Sequence, residues 1–451
     1  MTDSQFNINI KEYRAISEAD IDLNGITVLS GVNGCGKSSI SMLTYEFFKS
    51  SINIEVLMLI NIKNLLKKPL ILIEEFLDAT LKISNYSKPI EIKSSISLFY
   101  KELFNGYIPI SQLKERIILS IIGKTMEFYD ENESTINSNP ELRLQISRTT
   151  KLIANYLPYN YPDNDFEEIL KELWRYILQE IDKLDISEKN YPSSIISSKL
   201  NQIYNSENSI IPKFIEIKEY GLPLFSYPKN NETIKVQSLK KVFYIDSPLI
   251  LEADKDGLSN NPHWKHLREN IKTSSKHDFN IEIEDLFHTK LGIENIEHTV
   301  TFEETFNYVR TDGEKFNLFE SATGIKSFAI IQLLYQSGLL NKNTLLLLDE
   351  PEIHLHPQWV VEYARLVVLL NKHLGVKFLI ASHHPEFVSS IRYISEKEKT
   401  TGGLNFYIAE EVENDSFKFK YKHLGIDIEG AFESFNKSFE LFDQYIKEDE
   451  V

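Results

Sequence analysis

The sequence predicts an α/β fold, in which a mixed, mainly parallel sheet carries helices on both faces and is interrupted by an inserted helical domain. Near the amino end, a β-branched apolar run, Gly25–Gly31, leads into a glycine-rich turn and then into helically spaced apolar residues. Towards the other end, the fully apolar segments Thr344–Glu350 and Val376–Ser382 flank a helical pattern, which is typical of parallel strands buried on both faces. Between these ends, helical periodicity dominates residues 51–230.

The composition of the chain excludes several classes of protein. The chain has 451 residues, 42% of them hydrophobic, and a formal net charge of −17. Such a chain buries a core, so disorder over most of its length is excluded. The one cysteine excludes a disulfide framework and a cysteine-cluster metal site, and a cytoplasmic location is expected. No apolar run approaches the ~20 residues that cross a bilayer, so no membrane contact is expected. The charge disfavours a surface that is basic all over, but a local basic groove for DNA stays open.

The first segment, residues 1–50, is predicted to form the amino-terminal half of the α/β domain. Apolar residues alternate over Phe6–Ile10, Ile21 and Leu23 suggest a second strand, and Gly25–Gly31 suggests a third. The helix after the glycine-rich turn is predicted from apolar residues at helical spacing.

The segment 51–230 is predicted to be the inserted helical domain. Its clearest helix places apolar residues on one stripe and charged residues on the other faces, with Asn164 as the expected N-cap. The stripe comprises Phe166, Ile169, Leu170, Leu173, Trp174, Ile177, Ile181 and Leu184. Prolines interrupt the helical patterns, so one long coiled-coil arm is not expected.

The segment 231–451 is predicted to complete the α/β domain. Its expected elements are two hairpins, three strands and several helices. They are a strand at Lys241–Ser247, a hairpin of Phe306–Arg310 and Lys315–Phe319, a helix at Phe328–Leu340, the strand Thr344–Glu350, a helix near Gln358–Leu370, the strand Val376–Ser382, a hairpin over Leu404–Lys420 and a helix near Ile428–Lys447.

A phosphate-binding loop follows the third strand. Residues 31–38 read GVNGCGKS, which fits G-x-x-x-x-G-K-[ST] between a strand and a helix. Glycines let successive amides point at phosphate oxygens, and the new helix directs its amino end at the same anion. Lys37 is expected between the β- and γ-phosphates, and Ser38 on Mg²⁺. The expected phosphate-binding residues are Gly31, Asn33, Gly34, Gly36, Lys37, Ser38 and Ser39.

Two carboxylates end the strand of four leucines. Asp349 and Glu350 lie where open parallel sheets bind ligands, at the carboxyl edge. Asp349 is expected to hold Mg²⁺ through water, and Glu350 to polarise the water that attacks the γ-phosphate. Because adjacent carboxylates repel, a bound cation or a raised pKa is expected.

Three further segments carry a resemblance to a known family. Residues 349–357, DEPEIHLHP, resemble the extended Walker B motif and D-loop of ABC-type ATPases. Residues 381–385, ASHHP, resemble the switch-histidine motif, and 321–327, SATGIKS, lie where the signature motif is expected. Together they identify the chain as similar to the RecF/SMC-like branch of P-loop ATPases, including overcoming-lysogenization-defect ATPase domains and phage-defence ATPases.

The resemblance implies how these residues act. In ABC-type ATPases, two heads hold two ATP molecules between the Walker A loop of one head and the signature of the other. Thr323, Gly324 and Lys326 would then contact the partner's nucleotide, and His383 would hydrogen-bond the γ-phosphate and report its loss. His354 and His356 would lie at the dimer seam. Ala322 stands where the signature usually has serine, unless Ser321 or Thr323 takes that place. Gln237 is a candidate for the Q-loop glutamine.

The expected activity is ATP hydrolysis with ATP and Mg²⁺, in a homodimer or larger homo-oligomer of such heads. The first hypothesis is an ATP-driven switch or sensor in anti-phage defence that acts on a separately encoded effector. A DNA-repair or recombination ATPase that acts on DNA is the second. An ATP-binding scaffold that does not hydrolyse ATP is the third, and the intact Glu350 argues against it.

Overall fold

The computed structural model describes residues 5–83, 87–104, 118–157, 165–182, 190–202, 212–228, 232–252, 261–271, 280–300, 304–413 and 415–430. The chain divides into two compact units. The first combines Met1–Ile52 with Ile196–Val451, and the second is Asn53–Ile195.

The strands and helices are numbered in chain order. The strands are β1 (Phe6–Tyr13), β2 (Ile16–Leu23), β3 (Ile26–Ser30), β4 (Asn190–Pro192), β5 (Phe214–Glu219), β6 (Leu222–Tyr227), β7 (Glu232–Ile234), β8 (Lys241–Ile245), β9 (Ile293–Val300), β10 (Glu304–Arg310), β11 (Lys315–Asn317), β12 (Thr344–Asp349), β13 (Lys377–Ser382), β14 (Leu404–Val412) and β15 (Asp415–Gly425). The helices are α1 (Lys37–Ile52), α2 (Ile54–Ile83), α3 (Ser87–Phe104), α4 (Lys124–Ser138), α5 (Pro140–Ala154), α6 (Phe166–Asp182), α7 (Ser193–Gln202), α8 (Pro262–Ile271), α9 (Ile281–Asp285), α10 (Thr323–Gln336), α11 (Pro357–Leu374) and α12 (Pro385–Lys397).

The main sheet of the first unit orders its strands β6-β5-β1-β2-β15-β14-β3-β13-β12-β8. The run β14, β3, β13, β12 and β8 is parallel throughout. The remaining pairs are antiparallel, except that β15 runs parallel to β2. The parallel strands therefore bring their carboxyl ends to one edge, where a ligand of an open α/β sheet binds.

Helices cover both faces of the parallel strands. Leu346 and Leu348 of β12 pack into a core with α10, α11 and α12, whereas α1 packs against β8, β12 and β13. All four leucines of β12 are buried, which explains why the strand is apolar without alternation. The prediction of a mixed, mainly parallel sheet with helices on both faces is confirmed.

The second unit is helical. Its core combines apolar side chains of α2 to α6, and α6 contributes the predicted stripe through Phe166, Leu170, Leu173 and Ile177. Among the residues that the structure describes, no helix combines the length and the apolar composition needed to cross a membrane.

The helical insert ends earlier than the sequence patterns indicated. Its predicted range, 51–230, includes β5 and β6, which pair with β1 and extend the main sheet. Phe214–Glu219 alternates buried and half-buried residues at a period of two, the pattern of a strand with one covered face. The predicted cap Asn164 and most of the predicted helix 428–447 lie outside the described residues.

Candidate active site

The phosphate-binding loop connects β3 to α1 at the carboxyl edge of the sheet. Its backbone requires glycine where the chain turns back towards the helix. Gly36 has φ of +101°, and a Cβ atom added there would lie 2.7 Å from Ile16 Cγ1. Gly31 is equally confined, because its Cβ would lie 2.8 Å from that of Ala409. The loop thus keeps its curled form only with these glycines.

Lys37 is buried at the start of α1, with only 4% of its surface exposed. Its Nζ donates to the carbonyl oxygens of Gly31 at 2.9 Å and Val32 at 3.0 Å, so the ammonium group lies against the loop. Cys35 is also buried, and its Sγ lies 3.7 Å from Tyr421 Oη. The thiol therefore packs against the sheet, whereas the backbone of the loop is left for an anion.

Asp349 ends β12 beside this loop. Its Oδ2 accepts a hydrogen bond from Tyr244 Oη at 2.8 Å. Its Oδ1 is buried without a hydrogen-bond partner in the structure, the environment of a carboxylate oxygen that ligates a cation. Burial raises the pKa of Asp349, while its interactions with Ser38 and Tyr244 oppose that rise. Ser38 and Asp349 thus fit a magnesium site, since Mg²⁺ takes one or two protein oxygens together with phosphate.

Glu350 and His383 form a pair across adjacent strand ends. Glu350 follows β12 with φ of +48°, and its amide donates to the Ala381 carbonyl of β13 at 2.8 Å. This turn aims the carboxylate at the next strand end, where Glu350 Oε1 lies 3.0 Å from His383 Nδ1. A carboxylate beside an imidazole can orient a water molecule and accept its proton.

A cavity of about 170 Å³ opens in front of these strand ends. Asp349 and Glu350 line it together with Asp246, which follows β8. His263 Nε2 lies 2.9 Å from Asp246 Oδ2, and Trp264 Nε1 donates to Asp246 Oδ1 at 2.6 Å. Asp246 was missed from the sequence, although it ends a predicted strand as Asp349 does.

The signature residues begin α10. Thr323 is its first residue, and Gly324 packs so closely that an added Cβ would lie 3.1 Å from the Trp359 ring. Lys326 is buried, with only 6% of its surface exposed. Thr323, Gly324 and Lys326 do not line the cavity beside Asp349, whereas the next residue of the helix, Ser327, does.

The two D-loop histidines lie in the turn after β12. His354 is exposed, has φ of +67° and lines the cavity. His356 is exposed and caps α11, accepting from the Gln358 amide at 3.4 Å. Among the described residues, no group of three or more His, Cys, Asp or Glu side chains is placed to bind a metal ion. A place for both histidines at a dimer seam stays a prediction.

Gln237 lies at the wrong edge for a Q-loop glutamine. It precedes β8, whereas the phosphate loop and Asp349 follow the carboxyl ends of strands parallel to β8. Its side chain donates to the Lys235 carbonyl at 3.0 Å, and its amide donates to Glu219 at 3.1 Å. These bonds give Gln237 a role in the fold.

The chain matches a protein-family model and several solved structures. A family model described as an AAA ATPase domain matches residues 6–388. Comparison with curated proteins finds no match. The matching solved structures include the Smc head domain of Pyrococcus furiosus bound to the C-terminal domain of ScpA, at 9% identity and a TM-score of 0.33, covering 97% of this chain and 98% of that one. They also include the SMC head domain of Thermotoga maritima, at 10% identity and a TM-score of 0.34, covering 94% and 99%. The family match covers the phosphate loop, Asp349, Glu350 and His383.

Proposed function

The chain belongs to the AAA ATPase domain family, as the resemblance to P-loop ATPases predicted, and we propose that it binds ATP with Mg²⁺ and hydrolyses it. The observation that carries this proposal is the Glu350–His383 pair, 3.0 Å apart, beside Asp349 and the phosphate loop. A scaffold needs the loop but has no use for a base held at that position. The pair therefore favours hydrolysis over binding alone.

Each residue has a chemical task in this proposal. The loop amides and Lys37 bind the phosphates, and Ser38 and Asp349 hold Mg²⁺, which neutralises charge on the transferred group. Glu350 orients the attacking water and takes its proton. His383 holds Glu350 in place and contacts the γ-phosphate.

The assembly that we propose is a homodimer, or a larger homo-oligomer built from such dimers, in which ATP joins two heads. Thr323 and Gly324 offer the amino end of α10 to the partner's γ-phosphate, because backbone amides at a helix start favour an anion. Lys326 joins this contact. Closure on ATP and opening after hydrolysis make the protein a switch.

In the cell, we infer a role in anti-phage defence, in which the switch holds or releases a separately encoded effector. The support is the resemblance of DEPEIHLHP and ASHHP to the corresponding segments of phage-defence ATPases. The copurification of an effector protein with the full chain tests this role.

Two variants test the ATPase proposal at opposite ends of the cycle. Lys37→Ala removes the charge that binds phosphate, so ATP binding should be lost. Glu350→Gln keeps the shape of the side chain but removes the base, so binding should persist while turnover falls about 10²–10⁴-fold. The measurements are calorimetric ATP affinity and release of labelled phosphate. Unchanged turnover in Glu350→Gln would refute the catalytic role, and normal ATP affinity in Lys37→Ala would refute the binding site.

A further inference from the structure

A second glutamate of the D-loop is buried beneath the catalytic pair. Glu352 lies two residues after Glu350 and is only 4% exposed. Its Oε1 accepts a hydrogen bond from Ser382 Oγ at 2.6 Å. In the structure its Oε2 is buried and has no hydrogen-bond partner. A buried glutamate with one unsatisfied oxygen calls for an explanation, because carboxylates are rarely buried unless they are fully paired.

The hydrogen bond of Glu352 connects two turns of the site. Ser382 ends β13, immediately before His383, and its Oγ also accepts from the His384 amide at 3.1 Å. Glu352 itself belongs to the turn that carries Glu350, where the Ile353 amide donates to the Glu350 carbonyl at 3.0 Å. Glu352 and Ser382 thus join the turn of the base to the turn of its histidine partner.

The surroundings favour the neutral form of Glu352. Burial raises its pKa, and the negative charge of Glu350 acts in the same direction. The Ser382 hydrogen bond, the Glu352 amide and the charge of His383 oppose the rise. Tyr363, buried on α11, is a further titratable group near Glu352, and burial raises the pKa of its hydroxyl so that it stays neutral. An ionised Glu352 would leave a charged oxygen without a donor in a buried site.

We propose that Glu352 is a positioning residue for ATP hydrolysis, which acts as a neutral buried carboxyl group and, through Ser382, holds His383 against Glu350. The inference rests on the proposed hydrolysis, because it assigns Glu352 to that same site. Because Glu352 is buried, it acts through Ser382 and not on the nucleotide directly. Ionisation of Glu352 adds a second negative charge beside Glu350 and disturbs the Glu350–His383 geometry, so turnover falls as pH rises through the pKa of Glu352.

Three variants separate positioning from bulk structure. Glu352→Gln resembles the neutral acid in shape and still accepts from Ser382, so it should turn over ATP like the wild type at low pH. At higher pH, the ratio of variant to wild-type turnover should rise. Glu352→Ala and Ser382→Ala remove the connection and should each lower kcat by at least about tenfold, with unchanged ATP affinity, since a 1 Å displacement in an active site can cost ~100-fold. The double variant should lose no more than either single one, because both changes break the same bond.

Glu386→Gln is the matched control, because it removes one exposed carboxylate near the His383 turn and should leave the pH profile unchanged. A turnover ratio for Glu352→Gln that does not vary with pH would overturn the proposal, as would a loss in Glu352→Gln as large as that in Glu352→Ala. A wild-type protein without any turnover would refute the proposed hydrolysis itself, which distinguishes the two failures.

A stability measurement tests the neutral carboxyl group independently of activity. A glutamate with a raised pKa in the folded state costs stability as pH rises from its unfolded value towards its folded value. The free energy of unfolding of Glu352→Gln relative to wild type should therefore increase with pH above about 4.5, the ordinary glutamate value. A difference that stays constant with pH would show that Glu352 is not held neutral and would overturn the proposal.

Discussion

Tyr244 is predicted to set the strength of magnesium binding through Asp349. Its hydroxyl donates to Asp349 Oδ2 at 2.8 Å, which leaves Oδ1 for the cation. Tyr244→Phe removes the hydroxyl that donates to Asp349. The ring keeps its packing, since its centroid lies 5.0 Å from that of His263 and 5.8 Å from that of Tyr45. The change therefore tests the hydrogen bond between Tyr244 and Asp349.

The expected size of the effect comes from the role of a residue that orients a metal ligand. Removing such a partner typically lowers metal affinity about 10–100-fold, so Mg²⁺-dependent ATP affinity should fall by a factor in this range. Burial already raises the pKa of Asp349, and the Tyr244 hydrogen bond opposes that rise. Without Tyr244 the pKa of Asp349 rises further, and less of the carboxylate is ionised at low pH. The deficit should therefore be larger at pH 6 than at pH 8.

Calorimetry with and without Mg²⁺ measures this effect directly. ATP affinity in the presence of a chelator should match that of wild type, because Lys37 and the loop amides are unchanged. The matched control is Tyr407→Phe, which removes another buried hydroxyl, one that accepts from the Asp22 amide at 2.9 Å. An equal loss of affinity with and without Mg²⁺, or the same loss in Tyr407→Phe, would refute the assignment of Asp349 to the metal.

The remaining predictions concern the signature and a buried histidine. Ala322→Asp should stabilise α10 by about 1 kcal/mol, because Asp is a favourable N-cap where Ala makes no side-chain cap. Its charge should nevertheless block ATP-dependent head dimers, measured by light scattering in Glu350→Gln protein. Ala322→Asn is the neutral control, and equal dimerisation of the two variants would contradict the signature assignment. The structure favours this position over Gly324, where any side chain would press on Trp359. Burial lowers the pKa of His266 to about 4, and the charge of Lys49 acts in the same direction. Because the unfolded chain then binds this proton more readily than the folded one, the free energy of unfolding should fall as pH drops from about 6.5 to 4. Urea unfolding should show a weaker pH dependence in His266→Gln, and an identical dependence would contradict the burial effect.

The sequence predicted those parts of the site that adjacent residues determine. The phosphate loop needs its glycines and Lys37 in one short run, and Asp349 and Glu350 directly follow a run of leucines. The direction of β8 could also have excluded Gln237, since a residue before a parallel strand lies at the amino edge. These positions depend only on which residues begin and end a local strand or helix, and the sequence pattern predicts those boundaries.

The parts that were missed depend on contacts between distant residues. Asp246 becomes a site residue only because β8 pairs with β12 in a register that aligns Ile245 with Leu348. The burial of Lys326 likewise depends on the packing of α10 within the first unit, which no run of neighbouring residues reveals. Residues that reach the site only through the order and pairing of distant strands therefore cannot be predicted from a single sequence.

The backbone conformation of Glu350 explains how its carboxylate comes to lie beside His383. In a regular strand, successive side chains point to opposite faces, so Asp349 and a following residue would diverge. Glu350 instead adopts φ of +48°, a conformation that costs a residue with a side chain about 1–3 kcal/mol. Its amide is held by the Ala381 carbonyl, one residue before the end of β13. That bond maintains the strained turn and keeps both carboxylates at one edge.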